Sequence, residues 1–279
     1  LISTGNPLPL PVTLTSANTS PTGTVDQLER FEGMRVHVDS LTAIAPTQGS
    51  VSETNATSTS NGIFYAVITG VARPFREPGI QVPDPLPPGS PAGVPRFDAN
   101  PERLRIDSGA QTGSTKLEVT SSASITNVTG ILDFSFLTYS ILTDPAPVAT
   151  VTGNLSAQPV PNPERDQFTV ASFNMQRFFD TVNDPGIDDV AVNPTAFNNR
   201  LNKASLAIHN VMKSPDIIGV EEVENLATLQ ALATKINNDA VAAGMSNPLY
   251  VAALVEGNDI GGIDAGLLVK SSRVIVMDV

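Results

Sequence analysis

The stretch Pro215-Asp-Ile-Ile-Gly-Val-Glu-Glu-Val-Glu-Asn225 limits the possible folds of this chain more than any other. Two isoleucines and a valine run into a carboxylate, and an asparagine then opens an amphipathic segment. That order predicts a buried strand followed at once by a capped helix, the unit of an open α/β sheet. Glu222 then stands at the C-terminal end of the strand, where such sheets place their ligands. Phe168-Thr-Val-Ala-Ser-Phe173 predicts a second strand that delivers Asn174 in the same way. A carboxylate and an amide oxygen on adjacent strand ends make a hard-oxygen pair suited to Mg2+ or Mn2+, with Ca2+ a further candidate.

The surrounding periodicity supports this reading. Leu201, Ala204, Ile208, Val211 and Met212 form an apolar stripe that predicts a helix over Arg200 to Lys213. Asn225 is placed to cap a second helix, with Leu226, Leu229, Leu232, Ile236 and Ala240 on one face and Gly244 at its end. Leu249 to Val255, Ile263 to Val269 and Val274 to Met277 read as further strands.

The preceding part has a different texture. It is rich in Thr, Ser, Pro and Gly, with short runs that predict strands at Arg35–Val38, Ile63–Ile68, Lys116–Val119 and Phe134–Ile141. That is the pattern of a small all-β barrel or sandwich. Pro78 to Pro101 is too rich in proline and glycine to be anything but a surface loop. Val148 to Asp166, with Gly153, Pro159, Pro161 and Pro163, reads as a linker. The division is therefore residues 1–150, a linker over 151–166, and a second domain over 167–279.

Composition removes several function classes. There is no cysteine, so disulfides, thiolate metal sites and cysteine catalysis are excluded. A net charge of −12 and a pI near 4.5 argue against nucleic-acid binding through a broad basic surface. They leave room for an enzyme that grips phosphate locally through a metal. No apolar run approaches the ~18 residues of a membrane span. No signal peptide is visible in a chain that begins at Leu1.

"VASFNMQRFFD" followed by "PDIIGVEEVEN" resembles the endonuclease/exonuclease/phosphatase superfamily, the fold of pancreatic deoxyribonuclease. "GGIDAGLLVKSSRV" is similar to a strand pair of the same family. In the first part, "GNPLPLPVTL", "LERFEGMRVHV", "VARPFREPGI" and "VPRFDANPERLRID" resemble the OB-fold-like module that precedes the catalytic domain in secreted bacterial nucleases of the YhcR type. The resemblance implies an all-β OB-like barrel followed by a four-layered α/β sandwich. It implies Mg2+-dependent phosphodiester hydrolysis by a secreted or periplasmic protein, on nucleic acid, with DNA ahead of RNA. Asn174 matches the family's metal-site asparagine and Glu222 its metal-ligand glutamate. Glu221 stands where many relatives have glutamine, and Arg200 and Lys203 match an arginine–lysine pair read as structural.

The family's later motifs, an Asp-x-Asn and a Ser-Asp-His that orient phosphate and supply a base, have no counterpart here. The chain reaches Val279 about where the first half of such a domain ends, so the expectation is a fragment inactive on its own. Two alternatives follow: a non-catalytic nucleic-acid or partner-binding adaptor, and a phosphomonoesterase or sphingomyelinase-type member of the same fold.

The remaining candidates have more ordinary readings beside the functional one. Asp264, a carboxylate in an apolar strand, either serves the site as a catalytic group or makes an edge or loop salt bridge. Alternation along the strand puts Glu221 on the face opposite Glu222, and Glu221 and Glu224 are expected to face solvent. His37 reads as a cross-strand surface residue and His209 as a helix-flank residue. Arg73, Arg76 and Glu77 offer an anion-binding corner or an arginine–carboxylate lock. Among Phe64, Tyr65, Phe75, Phe134, Phe136 and Tyr139, most are expected in the barrel core rather than on a base-stacking face.

Overall fold

The computed structural model describes residues 7–72, 89, 100–164 and 166–278. Arg73, Phe75, Arg76 and Glu77 lie outside them. The chain divides into two compact units, Leu1–Ser50 with Thr59–Ser156, and Val51–Ser58 with Ala157–Val279.

The first unit is built from β1 (Val12–Thr13), β2 (Arg35–Ala43), β3 (Gly49–Ser52), β4 (Thr57–Ser60), β5 (Ile63–Ile68), β6 (Leu104–Asp107), β7 (Ser124–Ser135), β8 (Thr138–Thr143) and β9 (Thr150–Thr152). Strands β3 and β4 form a separate two-stranded sheet. In the main sheet β2, β5, β6, β8 and β7 follow one another, and β7 pairs back onto β2. This closes a five-stranded barrel, which removes the exposed strand edges of an open sheet. The β6–β8 pairing is parallel and the other four in the ring are antiparallel. Alternation along β2, with a change of phase between Val38 and Leu41, sends Val36, Val38, Leu41 and Ala43 into the core that also holds Phe64, Leu104, Ile106, Ile125, Leu132 and Ile141. Gly130 permits the tight β7–β8 approach, since a Cβ there would lie 2.2 Å from the Leu142 carbonyl oxygen.

Several sequence expectations need correction. Phe134–Ile141 is not one strand: a two-residue turn at Phe136–Leu137 splits it between β7 and β8, with φ of 53° and 57°. Lys116–Val119 is not a strand. Its amides at Leu117 and Val119 bond to the hydroxyls of Ser108 and Thr47 instead of a ladder partner. Thr150–Thr152, expected within a linker, pairs with β7. Of the aromatics expected in the core, Phe64 and Tyr139 are buried, whereas Phe134 and Phe136 are 44% and 82% exposed.

The second unit contains β10 (Val170–Phe178), α1 (Pro194–Leu206), β11 (Ile217–Val223), α2 (Leu226–Ala242), β12 (Tyr250–Leu254) and β13 (Asp264–Lys270). Its sheet runs β10-β11-β13-β12, with β10 and β11 parallel and the other pairs antiparallel. The apolar stripe of α2 packs Leu229, Leu232 and Ile236 against Ile218, Val220, Tyr250 and Leu268. Asn225 caps α2 by accepting from Thr228 N at 2.8 Å, and Gly244 ends it at φ 73°. Helix α1 starts six residues earlier than its apolar stripe suggested, because Asn193 caps it and Pro194 takes the first position. Its C-terminal end widens into a π-helical turn over Ala207–Val211. Val274–Met277 is not a strand. The described residues thus give an α/β unit with one mixed sheet; the second sheet of a four-layered sandwich is not among them.

Asp216 ties the sheet together just before β11 begins. Its 1% exposed carboxylate accepts from Thr169 N (3.0 Å) and is paired with Lys270 (3.3 Å) and Arg273 (3.1 Å). Burial alone pushes its pKa up. The Thr169 amide and the two cations overcome that and hold it below the usual aspartate value.

Candidate active site

The neighbouring strands β10 and β11 break their regular geometry at the same level. On β10 the register shifts between Asn174 and Phe178, and Gln176 and Arg177 take left-handed φ of 54° and 52°. On β11 the irregularity against β13 falls between Glu221 and Val223, with Glu222 at φ 58°. Such bulges re-aim side chains and recur beside functional sites. The sequence suggested that the first strand stops before Asn174, whereas β10 runs on through this irregular step to Phe178.

The result is a small bonded constellation. Asn174 Nδ2 donates to Glu222 Oε1 at 2.9 Å, and Arg177 N donates to Glu222 Oε2 at 3.0 Å. Gln176 N donates to Asn174 Oδ1 at 2.8 Å. Two successive amides therefore face the amide oxygen and the carboxylate, an arrangement that forms an anion-binding concavity in other loops. Behind the step, Arg200 on α1 donates to three consecutive carbonyls: Met175 O at 2.8 Å, Gln176 O at 2.6 Å and Arg177 O at 2.8 Å. Its guanidinium also lies 5.1 Å from the Phe178 ring centroid. Burial holds its pKa below the usual arginine value, yet the group stays charged. Left-handed φ in a non-glycine residue costs about 1–2 kcal/mol. Charge-assisted hydrogen bonds contribute about 1.5–3 kcal/mol each when well shielded, and Arg200 is only half-buried. Even at the lower end, three of them offset two strained residues.

These side chains carry hard-oxygen donors of the kind a divalent cation takes. Glu222 is accessible, and each carboxylate oxygen keeps a lone pair beyond its one hydrogen bond. Asn174 Oδ1 is a second hard oxygen, turned to Gln176 N while Nδ2 faces Glu222, with one lone pair beyond that hydrogen bond. Among the described residues no three His, Asp or Glu side chains gather into a metal-binding group. Mg2+ keeps several waters and takes one or two carboxylates plus substrate phosphate, so one carboxylate and one amide oxygen are at most part of a ligand set for it.

Asp264 opens β13 opposite Val223, and its Oδ1 accepts from Gly257 N at 2.7 Å, which fastens the loop before it. Glu221 is half-buried and accepts from Ser172 Oγ at 2.7 Å. Glu224 corrects the expectation of a solvent-facing side chain, being 2% exposed and accepting from Asp180 N at 2.5 Å. Burial, and after it the carboxylates of Asp180 and Asp189, push its pKa up to about 8. Its partner lies 44 residues away, so no local pattern announces this burial. His37 bonds Thr129 and Asp39 through its two ring nitrogens, and His209 bonds Ser214 and the Ile236 carbonyl. The carbonyl grip of Arg200 is the feature that sequence reading missed, since nothing local marks an arginine for bonds 23–25 residues away.

Two family models match the chain. The first, described as Domain of unknown function (DUF8508), covers residues 12–153, just over half of the sequence. The chain belongs to that family. The barrel is thus the DUF8508 part of the molecule. Residues 169–278 match a model described as Endonuclease/Exonuclease/phosphatase family, which supports that superfamily for the second unit and hydrolysis of phosphate esters as its chemistry. No curated protein and no solved structure matches the DUF8508 chain.

Proposed function

We propose that the second unit belongs to a divalent-metal-dependent phosphodiester hydrolase that acts on nucleic acid, DNA ahead of RNA, outside the cell or in the periplasm. The observation that carries this reading is the Asn174–Glu222 contact at 2.9 Å on neighbouring parallel strands, inside the region matched by the endonuclease/exonuclease/phosphatase model. Asn174 and Glu222 would hold Mg2+ or Mn2+. The bound cation would supply positive charge to a phosphate oxygen and to the leaving oxyanion. The chain's own part is to fix the two oxygen ligands and orient them through the Gln176 and Arg177 amides.

With a net charge of −12, the protein has little to attract a polyanion except such a cation. Titration of labelled DNA with and without Mg2+ tests this. The expected result is weak binding that requires the metal and disappears in Glu222→Gln. A second reading, a non-catalytic binding protein, is favoured by the engagement of all four histidine ring nitrogens. Tight DNA binding in EDTA would select it.

A further inference from the structure

We propose that Arg200 is a positioning residue for the Asn174–Glu222 pair, acting through the backbone of Met175, Gln176 and Arg177. This rests on the metal-site reading above. The path is short and each link is a hydrogen bond. The guanidinium donates to the carbonyls of residues 175, 176 and 177 at 2.6–2.8 Å. Those carbonyls belong to the left-handed step whose other side presents the amides of Gln176 and Arg177. These amides end on Asn174 Oδ1 and Glu222 Oε2. Without a cation behind them, three carbonyls converging on one point would repel one another, and the two strained residues would relax toward extended geometry. The amides would then turn away from the side-chain oxygens.

The chemistry requires arginine. A planar guanidinium spreads its donors over two nitrogens and reaches three acceptors at once, whereas the lysine ammonium is a point charge on a flexible stem. Stacking against Phe178 fixes the plane. Lys203, one turn further along α1 and exposed, makes no such contact with these carbonyls and serves as the internal control.

The test uses the full chain, labelled with 15N, and Mn2+ as the probe. In Arg200→Lys and Arg200→Gln, the Gln176 and Arg177 amide resonances should shift and their hydrogen exchange should accelerate. Amides of β11 and α2 should stay in place. Mn2+ affinity should fall by about 10–100-fold, the usual effect of losing an outer partner of a metal ligand. Lys203→Gln should match wild type in both readouts. Unchanged amides and unchanged affinity in the Arg200 variants would overturn the proposal. So would a collapse of amide dispersion throughout the protein in both variants, which would make Arg200 a folding residue instead. Shifted amides in the Arg200 variants, together with Mn2+ binding that Glu222→Gln leaves intact, would uphold the positioning role and remove the metal role of Glu222.

Discussion

Asn174 and Glu222 are 48 residues apart, yet the amide nitrogen of one donates to the carboxylate of the other at 2.9 Å across two parallel strands. Replacing that donor by an acceptor is informative. Asn174→Asp places two carboxylates in contact, which destabilises the site unless a cation lies between them. The variant is expected to melt below wild type in EDTA. It should then gain more in Tm than wild type as Mn2+ is added, by scanning calorimetry at fixed pH. An equal response of both proteins to Mn2+ would show that the ion binds elsewhere.

Asp216 offers a prediction about stability alone. Its carboxylate is 1% exposed and neutralised by Lys270 and Arg273. Asp216→Asn leaves these cations without their partner and is expected to cost about 2–3 kcal/mol, below the 3–5 typical of fully buried pairs because both cations reach solvent. The folded-state pKa is lowered, so the stabilisation is present above the ordinary aspartate value near 3.8 and is lost as pH falls through the folded value. The gap between wild type and variant in urea melts at pH 7 should therefore close only well below pH 3.8, once the folded carboxyl is protonated. A constant gap between them would contradict this.

The turn at Phe136–Leu137 is strained for no packing gain. Both residues have φ above 50°, and they are 82% and 91% exposed. Two-residue hairpin turns of this form favour Asn-Gly. The strain is worth about 1–2 kcal/mol per residue. What Phe136 gains is a cation–π contact with Arg105 at 5.2 Å, about 0.5–1 kcal/mol at an exposed site. Phe136→Asn with Leu137→Gly is thus expected to raise stability by about 1–2 kcal/mol, measured as a higher urea midpoint at unchanged m. A lower midpoint would mean that the apolar tip contributes packing that its exposure does not reveal.

Phosphodiester cleavage that depends on a histidine base is expected to be absent. Metal-assisted hydrolysis needs a base that activates water, and a general base contributes about 10²–10⁴ in rate. Both histidines are committed to other partners. Supercoiled plasmid incubated with the protein and Mg2+ or Mn2+ should remain intact. Cleavage that Glu222→Ala abolishes would show that a group other than these two histidines activates the water.

Much of the second unit was legible because its signals are local and redundant. Ile217, Ile218 and Val220 form a buried strand in almost any context, and Asn225 next to an apolar stripe starts a helix. The misreadings come from places where long-range bonds replace local preference. Lys116–Val119 has the residues of a strand, but hydroxyls of Ser108 and Thr47 satisfy its amides. Phe134–Ile141 has the propensity of one strand, but closure of the barrel requires a reversal there. Glu224 was expected to face solvent, but it is buried against the Asp180 amide, a partner 44 residues away.

From sequence alone, the main strands and both helices of the second unit, the change of texture between the two parts and Asn174 and Glu222 as candidates were legible, since each depends on neighbours within a turn or a strand. Only the tertiary structure decided how those candidates meet. The two bulges, the amides of Gln176 and Arg177 and the three-carbonyl grip of Arg200 depend on strands and a helix brought together from separate parts of the chain. A backbone held in left-handed conformation by a distant guanidinium has no signature in local composition, because the energy that sustains it comes from the partner and not from the residues that bear the strain.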